Sequence, residues 1–310
     1  MLENRVSKLR AVFFLLSFSC CFNISAEMSR VPIQYRETSG TRPYVNVQLN
    51  GHKFLFMVHA NTNFYAMTTH ANAEKAGIRD LLKQGDYGIS AAGEKSKLGN
   101  AKASVENFQI GSSIIAPMPI RVFEIPQDPP VDGMVGLMWL KKTKAVVDYA
   151  QGQISIPAKE EDLKEEGGRL EKLGYIAHKM KWDEKEMRYI VAPKVNGGGE
   201  RKFVVSTVSY FVIDEQSAKE SSVQVGEVVD TYGGPTGAVG DERASLGDIE
   251  LFLDGQKLAS PAARIYDIYA YDGSARPTAK KDRVDGFLGC DFMLANHAII
   301  DFGSELIYFK

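Results

Sequence analysis

The sequence predicts an all-β protein made of two lobes of similar plan. Its 310 residues contain many short runs rich in Val, Ile, Phe and Tyr, and Gly, Asn and Pro separate these runs. This is the pattern of short strands joined by tight turns. The second observation is a pair of similar segments, VDGMVGLMWL at 131–140 and VDGFLGCDFML at 284–294. A segment that recurs in the second half of a chain indicates a duplicated structural unit.

The similarity extends downstream of these segments. AVVDYAQGQISI at 145–156 is matched by AIIDFGSELIYF at 298–309. Each half also carries two aspartates at the same spacing, Asp132 with Asp148 and Asp285 with Asp301. Because Asp-Gly is a common turn dipeptide, we assign these carboxylates to the scaffold and not to catalysis.

The similarity also extends upstream, to the pattern expected of a hairpin. YVNVQLNGHKFLFMVHANT at 44–62 parallels YIVAPKVNGGGERKFVVSTVS at 189–209. Asn-Gly tolerates the positive φ angles of a type I′ turn. We therefore predict a two-residue hairpin turn in each lobe, at Asn50-Gly51 and Asn196-Gly197.

One short helix is predicted in each lobe, at THANAEKAG and DEQSAKES. Thr69 and Asp214 stand where their side chains could cap the first helical turn. Between the lobes, residues 158–174 (AKEEDLKEEGGRLEKLG) are highly charged and poor in apolar residues, which predicts a solvated linker with a helical turn. The lobes then cover residues 27–157 and 175–310.

The first 26 residues differ from the rest of the chain. Basic residues among the first ten precede the apolar run AVFFLLSFSCCF, and the polar NISA follows. This order is typical of a secretory signal peptide, with cleavage after Ala26. We therefore expect an exported protein, periplasmic or extracellular. Lipid attachment at Cys20 or Cys21 is the less favoured alternative, because LSFS is a poor match to a lipoprotein box.

Composition argues against several kinds of site. The net charge of −2 implies no strong attraction to nucleic acid, and no later run reaches membrane-spanning length. After signal cleavage only Cys290 would remain, which excludes an internal disulfide framework. No two histidines lie three or four residues apart, and CxxC, HExxH and Walker motifs are missing. We therefore expect neither a metal nor a cofactor.

These repeated blocks resemble the retropepsin-like aspartic proteases, in the tandem form found in exported bacterial proteins. The resemblance covers nearly all of residues 30–310. In that family a strand ends in Asp-Thr-Gly, an apolar segment containing glycine packs beneath this turn, and an IID(Y/F)-type strand closes the unit. DGMVGLMWL with VVDY, and DGFLGCDFML with IIDF, fit the later parts of this pattern. The resemblance implies two β-barrel lobes in a bilobal, pepsin-like arrangement.

The catalytic part of the family pattern is missing. The resemblance implies one aspartate from each unit, and the two would share a proton to activate water. The first strand here ends in His59-Ala60-Asn61-Thr62, and the second in Ser206-Thr207-Val208-Ser209. His59 and Ser206 thus occupy the positions of the lost acids. A lone histidine facing a serine also lacks the carboxylate that orients a Ser-His-Asp triad, so we expect no catalytic residue.

Two tyrosines are candidates for lining a groove between the lobes. VVDTYGG at 228–234 contains Asp-Thr, but Tyr232 follows where glycine is required, so we interpret the segment as part of a flap-like hairpin. GDYGISAAGEKSKLG at 85–99, with Tyr87, occupies the matching place in the first lobe. The alternative is that both are loop tyrosines without a role. With Asn61 and Thr207 at the tips, they form the predicted peptide-binding set.

Three functions follow from these observations. We favour an exported aspartic-protease-like protein without its dyad, a pseudoprotease that binds a peptide or protein segment in an interlobe groove. The first alternative is an active peptide hydrolase that uses His59 with an unidentified carboxylate, or whose acids are supplied by Asp214 or Asp230. The second alternative is a structural protein of the cell envelope without a ligand.

Overall fold

The computed structural model describes residues 28–91, 94–127, 129–234 and 237–310, and the predicted signal peptide lies outside them. Strands dominate these residues, and they form one large sheet in each half and one sheet shared by both. This confirms the predicted all-β, two-lobed architecture. Within the described ranges, no helix has both the length and the apolar character needed to cross a membrane.

The elements of the first lobe precede residue 157. Its strands are β1 (Ser29–Pro32), β2 (Gln34–Glu37), β3 (Thr41–Leu49), β4 (His52–His59), β5 (Ala66–Thr68), β6 (Leu82–Gly85), β7 (Ile89–Ala91), β8 (Glu94–Lys95), β9 (Asn100–Val105), β10 (Phe108–Ile110), β11 (Ser113–Ile115), β12 (Met118–Val122), β13 (Gly133–Gly136), β14 (Val146–Asp148) and β15 (Gln153–Ile156). Its helices are α1 (His70–Lys75) and α2 (Leu137–Lys142).

The second half begins with a helix and continues with strands. The helices are α3 (Glu160–Lys172), α4 (Glu215–Glu220), α5 (Ile268–Asp272) and α6 (Cys290–Ala295), with a 3₁₀ turn at Lys280–Asp282. The strands are β16 (Ile176–Lys179), β17 (Lys181–Asp183), β18 (Arg188–Val191), β19 (Lys194–Val195), β20 (Phe203–Val205), β21 (Val212–Asp214), β22 (Gln224–Gly233), β23 (Val239–Leu246), β24 (Leu251–Leu253), β25 (Gln256–Leu258), β26 (Arg264–Tyr266), β27 (Gly286–Leu288), β28 (Ile299–Asp301) and β29 (Leu306–Phe309).

The same three-strand arrangement occurs at the centre of each lobe. In the first lobe, β13 runs parallel to β4 and antiparallel to β5. In the second lobe, β27 runs parallel to β20 and antiparallel to β21. The chain that leaves β4 and the chain that leaves β20 are therefore the equivalent tips of the two lobes.

A six-stranded sheet joins the lobes. Its order is β1-β15-β14-β28-β29-β16, and the halves meet where Val147 of β14 pairs with Ile300 of β28. Both side chains belong to one continuous cluster of buried apolar residues that extends through both halves. Backbone hydrogen bonds and a common core therefore fix the position of one lobe relative to the other.

Residues 158–174 differ from the expected solvated linker, because they contain the 13-residue helix α3. Leu163 and Leu170 are separated by two helical turns, so they lie on one face, and both are buried against β14, β28 and β29. Acidic residues in the first turn complement the helix dipole. Two leucines on one face are thus enough to pack this helix against the sheet, although the segment as a whole is highly charged.

Both predicted short helices are confirmed, with the predicted caps. The Thr69 hydroxyl accepts a hydrogen bond from the Asn72 backbone N–H at the start of α1. The Asp214 carboxylate accepts from the backbone N–H groups of Gln216 and Ser217 at the start of α4. In each case the side chain satisfies donors that the first helical turn leaves free.

The two Asn-Gly turns form, but only the first closes a two-residue hairpin. Asn50 and Asn196 both adopt a φ of 49°, as a type I′ turn requires. In the first lobe the strands pair directly on either side of Asn50-Gly51. In the second lobe, pairing resumes only between Lys194 and Glu200. The prediction for the second lobe was therefore wrong in loop length, because the additional glycines of that segment lengthen the loop.

The repeated aspartates are structural, as predicted. Asp132 accepts the Leu55 backbone N–H at 2.9 Å, and Asp285 accepts that of Lys202 at 2.7 Å. The other pair also accepts backbone N–H groups, Asp148 from Gln151 and Asp301 from Gly303, both at 2.8 Å. These bonds hold the turns and strands that support the two tips.

Candidate functional site

The two tips are in direct contact between the lobes. The Ala60 backbone N–H donates to the Thr207 hydroxyl at 2.8 Å, and this hydroxyl donates to the Val58 carbonyl oxygen at 2.7 Å. Thr207 is fully buried. Since Val58 and Ala60 flank His59, and Thr207 follows Ser206, these bonds place the chain at His59 against the chain at Ser206.

The contact between the tips is asymmetric. Ala60 has no hydroxyl, so the first lobe cannot return the bond that Thr207 supplies. Ser209 holds the second tip in another way. Its hydroxyl donates to the Ser39 carbonyl oxygen at 2.8 Å, and its backbone N–H donates to the Thr41 carbonyl oxygen at 2.9 Å. Thr207 therefore forms the two hydrogen bonds between the tips, and Ser209 ties the second tip to the residues that lead into β3.

Replacing Thr207 by valine is expected to destabilise the protein by about 2–4 kcal/mol, because a buried N–H and a buried C=O both lose their partner. The matched control is Thr207→Ser, which keeps the hydroxyl and loses only a methyl group, at about 1 kcal/mol. Urea unfolding of both variants measures the difference. Equal stability of the two would show that the hydroxyl bonds do not hold the lobes together.

His59 is held in the neutral form. Burial and then the positive charges of Arg42 and Arg188 lower its pKa to about 3. Its Nδ1 atom is buried and has no hydrogen-bond partner among the described residues. An imidazole with such a low pKa is a poor proton acceptor at neutral pH.

Ser206 is likewise not arranged as a nucleophile. Among the described residues, its hydroxyl forms hydrogen bonds only with the backbone of Val208, at 3.3 Å to the carbonyl oxygen and 3.4 Å to the nitrogen. The residue is 2% exposed. Across the described residues, no carboxylate forms a hydrogen bond with either Ser206 or His59. The tips therefore contain neither an aspartic dyad nor a triad.

The strand registers place one arginine opposite each tip. Continuing the β3–β4 ladder by two residues sets Arg42 opposite His59. Continuing the β18–β20 ladder by two residues sets Arg188 opposite Ser206. The sequence reasoning missed both arginines. The signal that could have found them is their distance from the turns, since each lies eight residues before the asparagine of its Asn-Gly.

Arg42 has only neutral partners in the described structure. Its Nε donates to the Thr38 carbonyl oxygen at 2.7 Å. With the amide oriented to satisfy both groups, the Gln127 oxygen accepts from Nη1 at 2.9 Å and from Nε at 3.2 Å. Burial lowers the pKa of Arg42, but an arginine remains charged at any physiological pH.

Arg188 has two acidic neighbours. It lies opposite Asp183 in the β17–β18 ladder, and Asp183 is itself paired with Lys202. The charge of Arg188 also opposes the rise in pKa that burial causes for Asp272, at the end of α5. Neither Arg188 nor Arg42 forms a close ion pair within the described ranges. The charges that act on His59 are both positive.

The two predicted groove tyrosines differ in exposure. Tyr87 is 46% exposed, with its ring edge-on to Phe123 at 5.0 Å between centroids. Tyr232 is only 8% exposed and packs against Tyr266 and Tyr271 at 5.2 and 5.5 Å. Tyr87 thus keeps an open surface, whereas Tyr232 packs beside the turn of the β22–β23 hairpin.

The predicted tip residues also differ in what they leave available. Thr207 is used entirely in bracing the two lobes. Asn61, where the family has glycine, has a buried side-chain oxygen with no partner among the described residues. Tyr87 therefore retains exposed surface, and Asn61 retains an unsatisfied hydrogen-bond acceptor.

The acids considered for an alternative hydrolase have other partners. Asp230 lies on the exposed hairpin strand β22, where its carboxylate accepts the Thr231 backbone N–H at 2.8 Å. Asp214 is buried, caps α4 and pairs with Arg276. Neither forms a hydrogen bond with His59 in the described part of the chain.

No protein-family model and no curated protein sequence matches this chain. Among solved structures, the basic 7S globulin from soybean and conglutin gamma from lupine seeds are each 11% identical and cover 92% of this chain and 95% of their own, with TM-scores of 0.47 and 0.48. A retropepsin-like aspartic protease from Rickettsia conorii is 20% identical and covers 42% of this chain and 94% of its own, with a TM-score of 0.31.

The aspartic proteinase from Irpex lacteus is similar over almost the full length of both molecules. It covers 91% of this chain and 96% of its own, with a TM-score of 0.50 at 9% identity. At such low identity the similarity concerns the fold alone. The chain therefore has the bilobal, pepsin-like fold of the aspartic proteases.

Proposed function

We propose that this protein is a non-catalytic relative of the aspartic proteases that binds a peptide or protein segment between its lobes. The observation that carries the proposal is that the contact between the tips is kept while both catalytic acids are absent. Thr207 still connects the tips by hydrogen bonds on either side of His59. A carboxylate is present at neither His59 nor Ser206.

The preserved scaffold supports binding as the remaining role. Maintaining two tips in contact requires buried polar groups, which cost stability wherever they are left unpaired. Strands and hairpins of both lobes surround these tips, and an extended segment can add to such elements through its backbone. Binding of this kind needs the position of the tips but not their acids.

The hydrolase alternative has less support. Peptide hydrolysis through His59 would require it to accept a proton from water or from Ser206, and its pKa of about 3 opposes this at neutral pH. It would also require an orienting carboxylate, and the acids considered for that role have structural partners.

The test has two parts. The purified protein is incubated with a mixture of denatured proteins between pH 3 and pH 8, with the variant His59→Ala prepared identically as the control. We expect no specific cleavage, and any trace of activity should be equal in both preparations. Cleavage that disappears in His59→Ala would overturn the non-catalytic reading.

The second part measures binding. The wild-type protein is immobilised and used to select from a random decapeptide library. We expect reproducible enrichment of a peptide class over a selection on the bare surface. Failure to enrich any peptide would contradict the proposed function.

A further inference from the structure

We propose that the centre between the lobes binds an acidic peptide segment, whose carboxylates are anchored by Arg42 and Arg188. This inference rests on the proposed function and specifies the chemistry of its ligand. It starts from the sign of the charge at the tips.

The charge of the centre is the reverse of that in an aspartic protease. A dyad that shares one proton carries a net negative charge. Here His59 and Ser206 are neutral, and an arginine lies opposite each of them when the two strand ladders are continued by two residues. The two substitutions and the two arginines together convert a negative centre into a positive one.

Arg42 is the stronger of the two anchors. It is partly buried, and the partners found for it are a backbone carbonyl, an amide and a methionine sulfur. A buried cation is normally paired with an anion, because desolvation is costly when no opposite charge compensates it. The planar guanidinium can bind a carboxylate through two parallel N–H groups.

Arg188 is the weaker anchor, because it lies opposite Asp183 in the β17–β18 ladder and its charge also acts on Asp272. The acidic Glu242 lies near Tyr271 and Tyr266, and it also interacts with Asp230 and Arg264. These acids limit the positive field on the side of the second lobe. We therefore expect an acidic side chain of the ligand to be held chiefly by Arg42.

An independent observation favours a peptide over a simple anion. The Nδ1 atom of His59 and the side-chain oxygen of Asn61 are both buried and lack partners among the described residues. The oxygen can only accept a hydrogen bond, so its partner must be a donor such as a peptide N–H. An acidic peptide supplies both groups: a carboxylate to pair with Arg42, and a backbone N–H to donate to the Asn61 oxygen.

The experiment compares peptides selected on three proteins. A random decapeptide library is panned on the wild type, on Arg42→Gln and on Arg79→Gln, which removes an exposed arginine of the first lobe. We expect Asp and Glu to be enriched on the wild type and on Arg79→Gln, and not on Arg42→Gln.

A labelled selected peptide and its counterpart with Gln and Asn in place of Glu and Asp are then compared by fluorescence anisotropy. We expect the neutral peptide to bind the wild type roughly tenfold more weakly or worse, since a desolvated charge pair is lost. Arg42→Gln should cause a similar loss for the acidic peptide, and Arg188→Gln a smaller one. Arg42→Lys keeps the charge without the planar fork and should fall between wild type and Arg42→Gln.

Thermal unfolding of each variant establishes that it is folded, and Arg188→Gln provides a test that leaves the Arg42–Thr38 bond intact. Enrichment of neutral or basic peptides, or equal binding of the acidic and neutral peptides, would overturn the acidic-ligand inference and leave the proposed function standing. Enrichment of no peptide at all would overturn both. Inorganic phosphate that displaces the peptide from the wild type as effectively as free acidic peptide does would overturn the peptide part.

Discussion

Replacing Gly289 by alanine is expected to destabilise the protein by at least about 3 kcal/mol, as a buried overpacking substitution does when the backbone cannot yield. Gly289 lies between β27 and α6, directly beneath the second tip. A Cβ atom added there would lie far inside van der Waals contact of the Tyr210 carbonyl oxygen and 2.6 Å from that of Ser209. Both obstacles are backbone atoms, so relief of the contact must displace the tip itself.

The matched control is Gly168→Ala, in the middle of helix α3. An added Cβ there meets nothing within 4 Å, so alanine should stabilise the helix by up to about 1 kcal/mol. Urea denaturation of both variants measures the contrast. A Gly289→Ala protein with the stability of the wild type would mean that the tip can move away from this strand at little cost.

Gly136 offers the same test in the first lobe. Its added Cβ would run into the Phe64 carbonyl group. Gly136 directly precedes α2, as Gly289 directly precedes α6. We expect Gly136→Ala to be damaging for the same reason. The requirement for glycine at both places explains why DGMVGL and DGFLGC were the clearest recurring segments in the sequence.

The fold was predictable because its strongest constraints are local and occur twice. Asn-Gly pairs, helix caps at Thr69 and Asp214, and glycines beneath the tips each depend on a few neighbouring residues. Helix α3 was not predicted, because its apolar face consists mainly of Leu163 and Leu170 in a charged sequence. Its stability comes from strands contributed by both halves of the chain, which no local pattern reveals.

The site was predictable in position but not in character. Aligning the halves located His59 and Ser206 as the ends of equivalent strands. It did not reveal Arg42 and Arg188. The second lobe has one more residue between its tyrosine and its Asn-Gly, so aligning Tyr44 with Tyr189 no longer aligns the two arginines. Only the strand registers bring each arginine opposite a tip. The burial of Tyr232 could not be predicted for a related reason, since it depends on Tyr266 and Tyr271, more than thirty residues away.

Lowering the pH from 6.5 toward 3 is expected to destabilise the wild type more than the variant His59→Gln. The pKa of His59 falls from 6.5 to about 3 in the folded protein. Below pH 6.5, His59 is therefore protonated in the unfolded chain but stays neutral in the folded chain, so unfolding becomes more favourable. The neutral ring contributes its full stability above pH 6.5, and this contribution is lost as the pH falls toward 3.

The expected effect is large. Each pH unit within this window should change the free energy of unfolding by up to about 1.4 kcal/mol, with an upper limit of about 5 kcal/mol over the whole window. Carboxyl groups whose pKa is raised by burial act in the opposite direction, since they favour the folded state as the pH falls; they are Asp148, Glu242, Asp272, Asp291 and Asp301. The difference between wild type and His59→Gln cancels them, because both proteins contain all five.

The measurement is urea denaturation at several pH values between 7 and 4 and at constant ionic strength. The difference in free energy of unfolding should shift steadily in favour of His59→Gln as the pH falls. The control variant His52→Gln removes an exposed imidazole from the other end of β4, and it should not reproduce this shift. If the difference between wild type and His59→Gln stayed constant, His59 would titrate near its ordinary pKa. It would then be available as a general base near neutral pH, and the hydrolase alternative would regain its chemical basis.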